Sequence, residues 1–225
     1  MIELKDKEIE FYTRILDDFS SKVGNLETMR PDSMDFSLFI GQNYKVRYGV
    51  TKIVLIPKNR GARYVLKLPI LRPCSYASYD EDWCQVEVEA YEEVREAGYS
   101  IFFAEIDYFI NYNNYQTYIQ ERVKSFAEYE DYEDGGSYEY LHEIGVSEES
   151  LSDAGLSNIC GLLLEDLLIA MDNKTEEIEA FIDFLSKHQI NDLHTGNFGY
   201  SNKKKMPKIF DYSGYGKQAR LYRGI

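Results

Sequence analysis

The chain has 225 residues, 44% of them apolar and 28% charged, enough for one domain or two lobes with a real core. Its net charge of −14 argues against nucleic acid as the main partner. No apolar run reaches a membrane span and Met1–Lys7 lacks the apolar core of a signal peptide, so a cytoplasmic protein away from the membrane is expected.

Residues 3–20 set Ile9, Tyr12, Ile15, Leu16 and Phe19 on one helical stripe, and 21–34 read as a polar connector with Pro31. Three strands are expected next: Phe36–Ile40, Lys52–Ile56 stopped by Pro57, and Tyr64–Leu68 stopped by Pro69. Residues 80–97 form an amphipathic helix with Gly98 at its C-terminal cap. Phe102–Phe109 and Tyr115–Val123 make a hairpin across Asn111–Asn114.

Beyond Val123 the composition changes. Residues 127–183 carry 17 Asp or Glu against one Lys, and 203–225 carry seven Lys or Arg against one Asp. The acidic stretch suits a basic protein partner. Residues 127–140 read as a tyrosine-rich loop or short helix. One helical piece starts over 148–152, and two helices follow over 156–171 and 175–187. Asn173 and Glu176 are placed as a capping box before the last one. Two short strands, Phe198–Tyr200 and Lys208–Phe210, come after. Cys74, Cys84 and Cys160 have no ligand-like spacing and read as free thiols. The expected fold class is α+β: residues 1–34 a helix and connector, 35–123 a β-rich lobe with one main helix, and 124–225 a minimal, mostly helical lobe.

Candidate chemistry sits in four places. Lys67 lies in an apolar strand, where a lone ammonium is costly unless it is paired or points outward. Glu87, in the next helix, has Ala90, Tyr91 and Val94 at i+3, i+4 and i+7, so it faces inward. A Lys67–Glu87 pair satisfies both groups. Glu89 is the rival, but Glu92 and Glu93 are its neighbours, which places it in solvent. Asp192-Leu193-His194-Thr195-Gly196-Asn197, then Phe210-Asp211-Tyr212-Ser213-Gly214, have the layout that phosphoryl transfer from ATP needs: a carboxylate for the acceptor proton, and an amide and a second carboxylate for Mg²⁺.

Together these segments resemble the protein-kinase-like superfamily. Val65-Leu66-Lys67 looks like the Val-Ala-Ile-Lys strand, Glu87 like the helix-C glutamate, and Tyr118–Val123 like the strand leading to the hinge. Asp-Leu-His-x-Gly-Asn looks more like the loop of aminoglycoside, choline and atypical kinases than that of eukaryotic Ser/Thr kinases, and the set resembles small kinase-like proteins of bacteria and phages. The resemblance implies ATP and Mg²⁺ as cofactors. It implies Lys67 on the α/β-phosphates with Glu87 orienting it, Glu121 and Val123 at the nucleotide, and Gly49 in the phosphate-covering loop. Asp192 would be the catalytic base, Asn197 and Asp211 the metal ligands, and His194 either near the γ-phosphate or hydrogen-bonded within its own loop. The acceptor is a hydroxyl, with a protein as the expected substrate or partner. Three departures accompany the likeness. Gly41 and Gly49 do not form Gly-x-Gly-x-x-Gly, Asn191 precedes the catalytic Asp, and only eleven residues follow Gly214. A scaffold without turnover is the alternative.

Overall fold

The computed structural model describes residues 2–49, 51–71, 82–125, 161–172, 174–188, 190, 193–194, 196–201 and 207–212, with the side chains of 161–164 outside the description. The fold is α+β and its sheets are antiparallel. Two compact units divide the chain: Met1–Glu89 with Glu105–Arg122, and Ala90–Ala104 with Val123–Ile225.

The first unit is built on a five-stranded sheet. Its strands are β1 (Tyr44–Tyr48), β2 (Lys52–Pro57), β3 (Tyr64–Pro69), β4 (Ile106–Tyr112) and β5 (Tyr115–Glu121), in the order β1-β2-β3-β5-β4. Asn113 and Asn114 turn β4 into β5 with φ of 52° and 69°, as a tight hairpin turn with two left-handed residues requires. Helix α1 (Asp6–Val23) buries Tyr12, Ile15, Leu16 and Phe19, while Ile9 stays exposed. These side chains join Ile53 and Leu55 of β2, Tyr64, Leu66 and Leu68 of β3, and Tyr115 and Ile119 of β5 in one core.

Alternation along the strands sends Val54, Lys67 and Tyr118, which are register partners, to the opposite face. The Tyr12 hydroxyl donates to the Tyr64 carbonyl (3.2 Å) and accepts from the Tyr64 N–H (3.0 Å). Burial pushes this phenol up to about 12. At the other end of β3 the Tyr115 hydroxyl donates to the Pro69 carbonyl.

Two stretches differ from the sequence-based expectation. Phe36–Phe39 is a 3₁₀ turn rather than a strand, because the Asp35 carboxylate accepts the Ser37 N–H (2.9 Å) and closes a turn instead of leaving it to a sheet. Residues 26–33 are not a bare connector. They carry two 3₁₀ turns that bury Leu26, Met29 and Pro31. β1 was not anticipated.

Helix α2 (Trp83–Glu96) begins in the first unit and ends in the second. Asp82 caps its start, accepting from the Cys84 and Gln85 amides at 3.0 Å each. The second unit continues with a 3₁₀ turn, Ser100–Phe102, which takes up the first residue of the strand expected from Phe102; that strand, β4, starts at Ile106. It also has α3 (Gly161–Ala170), α4 (Thr175–Lys187) and a three-stranded sheet. The sheet strands are β6 (Val123–Ser125), β7 (Phe198–Ser201) and β8 (Pro207–Ile209), in the order β6-β7-β8. Ile178, Phe181, Ile182 and Leu185 of α4 are buried. Phe181 packs on Tyr99, Phe102 and Phe103, with ring centroids 4.9–6.3 Å apart. Lys174, not Asn173, stands at the N-cap of α4.

Asn173 itself and the expected elements over 127–160 lie outside the described residues. Among the described residues no helix is long and apolar enough to cross a membrane.

Candidate functional site

In the first unit, the sheet face opposite α1 receives α2. The Asp82 carboxylate that caps the helix also accepts the Tyr118 hydroxyl of β5 at 2.5 Å. Burial raises the Asp82 carboxyl, against the pull of its hydrogen bonds, and burial likewise raises the Tyr118 phenol. With the helix start pinned to β5, Glu87 is carried over β2 and β3. Its carboxylate is fully buried, at 0% exposure, and Lys67 is 2% exposed. Lys67 Nζ donates to Glu87 Oε2 at 2.7 Å.

The expected strand-to-helix pair is therefore present, and Lys67 does not point to solvent. Glu89 is exposed and accepts from Gln85 Nε2 at 3.0 Å. The sequence reading missed Lys52. Its Nζ donates to Glu87 Oε1 at 2.6 Å, and it is 5% exposed. Lys52 and Val54 share a face of β2, and Val54 faces Lys67 across the β2–β3 ladder. Parity alone would have put Lys52 beside Lys67 once that register was known. Cys84 is buried beside this cluster. Burial and the Glu87 charge push its thiol well up, so it is an inert packing group.

Gly49 sits in the β1–β2 turn. Its N–H donates to the Lys52 carbonyl at 2.9 Å, and an added Cβ would meet nothing within 4 Å. The turn thus makes no use of glycine's small size. Glu121 is buried at the end of β5 and its N–H donates to the Glu105 carbonyl at 2.7 Å.

The second unit holds the other candidates. Val123 opens β6 and pairs with Ser201. Asn197 and Asp211 lie at the two ends of the β7–β8 hairpin. The Asn197 carbonyl accepts the N–H groups of Phe210 (2.8 Å) and Asp211 (3.3 Å). That backbone tie brings together two half-buried residues whose side chains carry oxygen.

The Asn197 N–H donates to the His194 carbonyl at 2.9 Å, and His194 Nδ1 accepts the Gly196 N–H at 3.0 Å. Of the two roles weighed for His194, hydrogen bonding within its loop is the one this geometry displays. A Cβ on Gly196 would come within 2.6 Å of the imidazole, which is why a glycine fits there. Leu193 is fully buried and anchors the segment. Tyr212 is buried as well, stacked edge-on against Phe103 at 5.1 Å, with its hydroxyl donating to the Ala104 carbonyl at 2.6 Å. Asp192 lies outside the described residues. Among the described residues no group of three or more His, Cys, Asp or Glu is placed to hold a metal ion.

No protein-family model matches the chain, and no curated protein matches it.

Proposed function

We propose that the chain is an ATP-dependent phosphotransferase of protein-kinase-like, two-lobed type, moving the γ-phosphoryl group of Mg·ATP to a hydroxyl, with a protein as acceptor. The observation that carries this reading is the buried Lys67–Glu87 ion pair between the third strand and the next helix. Burying these charges costs several kcal/mol of desolvation per ion, and a well-packed apolar set would serve stability as well or better. A lysine held rigid by a carboxylate is what a nucleotide's α/β-phosphates need.

The donor set in the second unit fits a hard cation. Asn197 brings an amide oxygen and Asp211 a carboxylate, and Mg²⁺ prefers oxygen ligands. Bound Mg²⁺ would neutralise charge on the phosphates. Lys67 would grip the phosphate oxygens, and Glu87 would hold that ammonium in place. Asp192 would accept the hydroxyl proton, and His194 would keep the Gly196 amide and the loop in register.

The test is incubation with γ-labelled ATP and Mg²⁺, alone and with a cell lysate, beside Asp211→Ala. Label transfer that disappears in the variant is expected. No transfer, and no rise in melting temperature at millimolar ATP with Mg²⁺ or Mn²⁺, overturns the reading. One observation favours a second reading, a nucleotide-responsive scaffold without turnover: the Gly49 amide is spent on the Lys52 carbonyl within its own turn. ATP-dependent stabilisation without label transfer would select it.

A further inference from the structure

Charge is segregated along this chain. From Phe36 to Tyr79 there is no Asp or Glu and there are eight Lys or Arg, in a protein whose net charge is −14. Three of the eight have carboxylate partners: Lys52 and Lys67 on Glu87, and Arg63 on Glu8. Lys45, Arg47, Lys58 and Arg60 are exposed and, among the described residues, make no ion pair. Register puts three of them on one face. Arg47 stands opposite Val54 and Lys45 opposite Ile56, and two positions further along the ladder the Lys58 N–H donates to the Asn43 carbonyl at 2.8 Å. Opposite residues of a ladder share a face, so Arg47, Lys45 and Lys58 follow one another beside half-buried Val54 and Ile56.

β1 is also an open edge. It ends the sheet order, and among the described residues β2 is its one strand neighbour. The Gly49 N–H donates to the Lys52 carbonyl and the Lys58 N–H to the Asn43 carbonyl, so these two register pairs are hydrogen-bonded ones. Antiparallel alternation then turns the backbone groups of Lys45 and Arg47 toward β2, and those of Tyr44, Val46 and Tyr48 outward. Next to that outward row, Leu38, Ile40 and Tyr48 are 45%, 80% and 55% exposed. Phe36 stacks on Tyr48 at 4.7 Å and holds its ring at the edge. Lys45 and Arg47 alone would serve as charged guards that keep an edge from pairing; apolar side chains left in solvent beside them do not fit that role.

We propose that the outer edge of β1 is a docking site for an extended acidic peptide of a partner protein, which adds to the sheet as a further strand. Its backbone pairs with the outward groups of Tyr44, Val46 and Tyr48. Its carboxylates, at alternate positions, meet Lys45 and Arg47, and the apolar residues between them meet the Phe36–Tyr48 stack on the other face. Charge decides among occupants. A second copy pairing β1 with β1 would set Lys45 and Arg47 against themselves. A nucleic acid would meet the cations but leave the strand edge unpaired, and would approach a chain of net charge −14. The site lies within the first unit and stands whether or not the nucleotide reading does.

The probe is a peptide of about eight residues alternating Glu and Val, titrated into the full chain. Binding should weaken as salt is raised, and a version with Gln for Glu should bind less. Lys45→Gln combined with Arg47→Gln should weaken binding about 2- to 30-fold, the worth of two exposed charge pairs. Lys7→Gln, at an exposed lysine of α1, should change little. On binding, amide exchange at Val46 and Tyr48 should slow, while the Lys45 and Arg47 amides, already turned to β2, change little. That pattern is read in the wild-type protein and needs no variant to fold.

Binding without protection of Val46 and Tyr48, or equal binding by a peptide N-methylated at every residue, overturns the proposal and leaves only an electrostatic patch. Tighter binding of an oligothymidylate of the same charge overturns it in favour of nucleic acid. A concentration-dependent dimer with Val46 and Tyr48 protected before any peptide is added overturns it in favour of a second copy. No binding at millimolar peptide overturns it outright.

Discussion

The two units close their interiors by different means. In the first, a helix is fastened to a sheet through side chains: the Glu87 carboxylate shared by Lys52 and Lys67, and the Tyr118 hydroxyl on Asp82. In the second, backbone meets backbone. Gly199 of β7 lies so close to Lys124 of β6 that a Cβ would run into the Lys124 carbonyl. The Ala104 N–H donates to the Ile209 carbonyl at 2.8 Å, and even the buried Lys208 ammonium donates to a carbonyl, that of Phe103, at 2.9 Å. A side-chain fastening responds to changes in charge. A backbone fit responds to changes in size. Catalytic machinery gains from the first kind, since charge is what a substrate feels, and a scaffold gains from the second.

The sharpest way to break this contrast is Glu87→Gln. It should cost about 3–5 kcal/mol, because two buried ammonium groups lose the charged carboxylate they share. Urea midpoints give the value. Adding Lys67→Met should return part of the loss, with a coupling of about 1–3 kcal/mol. Strictly additive effects would mean that the carboxylate is not a shared fastening.

Next in size is Gly199→Ala, a single methyl group with no charge. It should cost about 1–3 kcal/mol by overpacking and should raise amide exchange in β6 and β7. Wild-type stability would refute the close backbone fit.

Tyr12→Phe should cost about 1–2 kcal/mol, since Tyr64 loses a partner for both its N–H and its carbonyl. Faster exchange of the Tyr64 amide is the local readout.

The smallest effect concerns pH. The Asp82 carboxyl is raised by burial, so its folded value lies above its unfolded one. Its contribution is fully present below about pH 4 and is lost as pH rises through the folded value. Glu8 is held down by its hydrogen bond from Arg63, so its contribution is present above about pH 4 and fades as the solution is acidified. Asp82→Asn keeps an acceptor for the helix cap and should flatten the first trend only. Unchanged pH dependence would mean that Asp82 does not carry it. Glu89→Gln, the exposed counterpart of Glu87, should stay within about 0.5 kcal/mol of wild type.

Much of this was legible in the residues themselves. The Lys67–Glu87 pair followed from helix spacing, because burial on a helix face can be counted from i+3, i+4 and i+7. The β7–β8 strands and α4 followed from apolar periodicity. Lys52 was hidden because its role depends on which residue of β3 faces Val54, a register set by tertiary pairing. β1 carries a plain period of two, Tyr44, Val46 and Tyr48 alternating with Lys45 and Arg47, but at five residues it is short and lies between two glycines, so its pattern is weak in the sequence. Phe36–Phe39 misled because a short apolar run suits a strand or a turn equally, and Asp35 decided for the turn.

The way α1 is held has a consequence for how the protein is made. Its Asp17 accepts the Tyr112 hydroxyl at 2.8 Å, from a residue 95 positions later in the chain, and the Ile2 N–H reaches Asp107 Oδ2 at 2.8 Å, 105 positions away. At the ribosome's pace of roughly 5–20 residues per second, the helix emerges about 5–20 s before the last strands that complete its seat. During that wait Tyr12, Leu16 and Phe19 lack the part of their cover that Tyr115 and Ile119 of β5 supply. A newborn α1 is therefore a natural client for a chaperone that shields apolar helices, and synonymous codons that slow translation between residues 64 and 112 would lengthen its exposure.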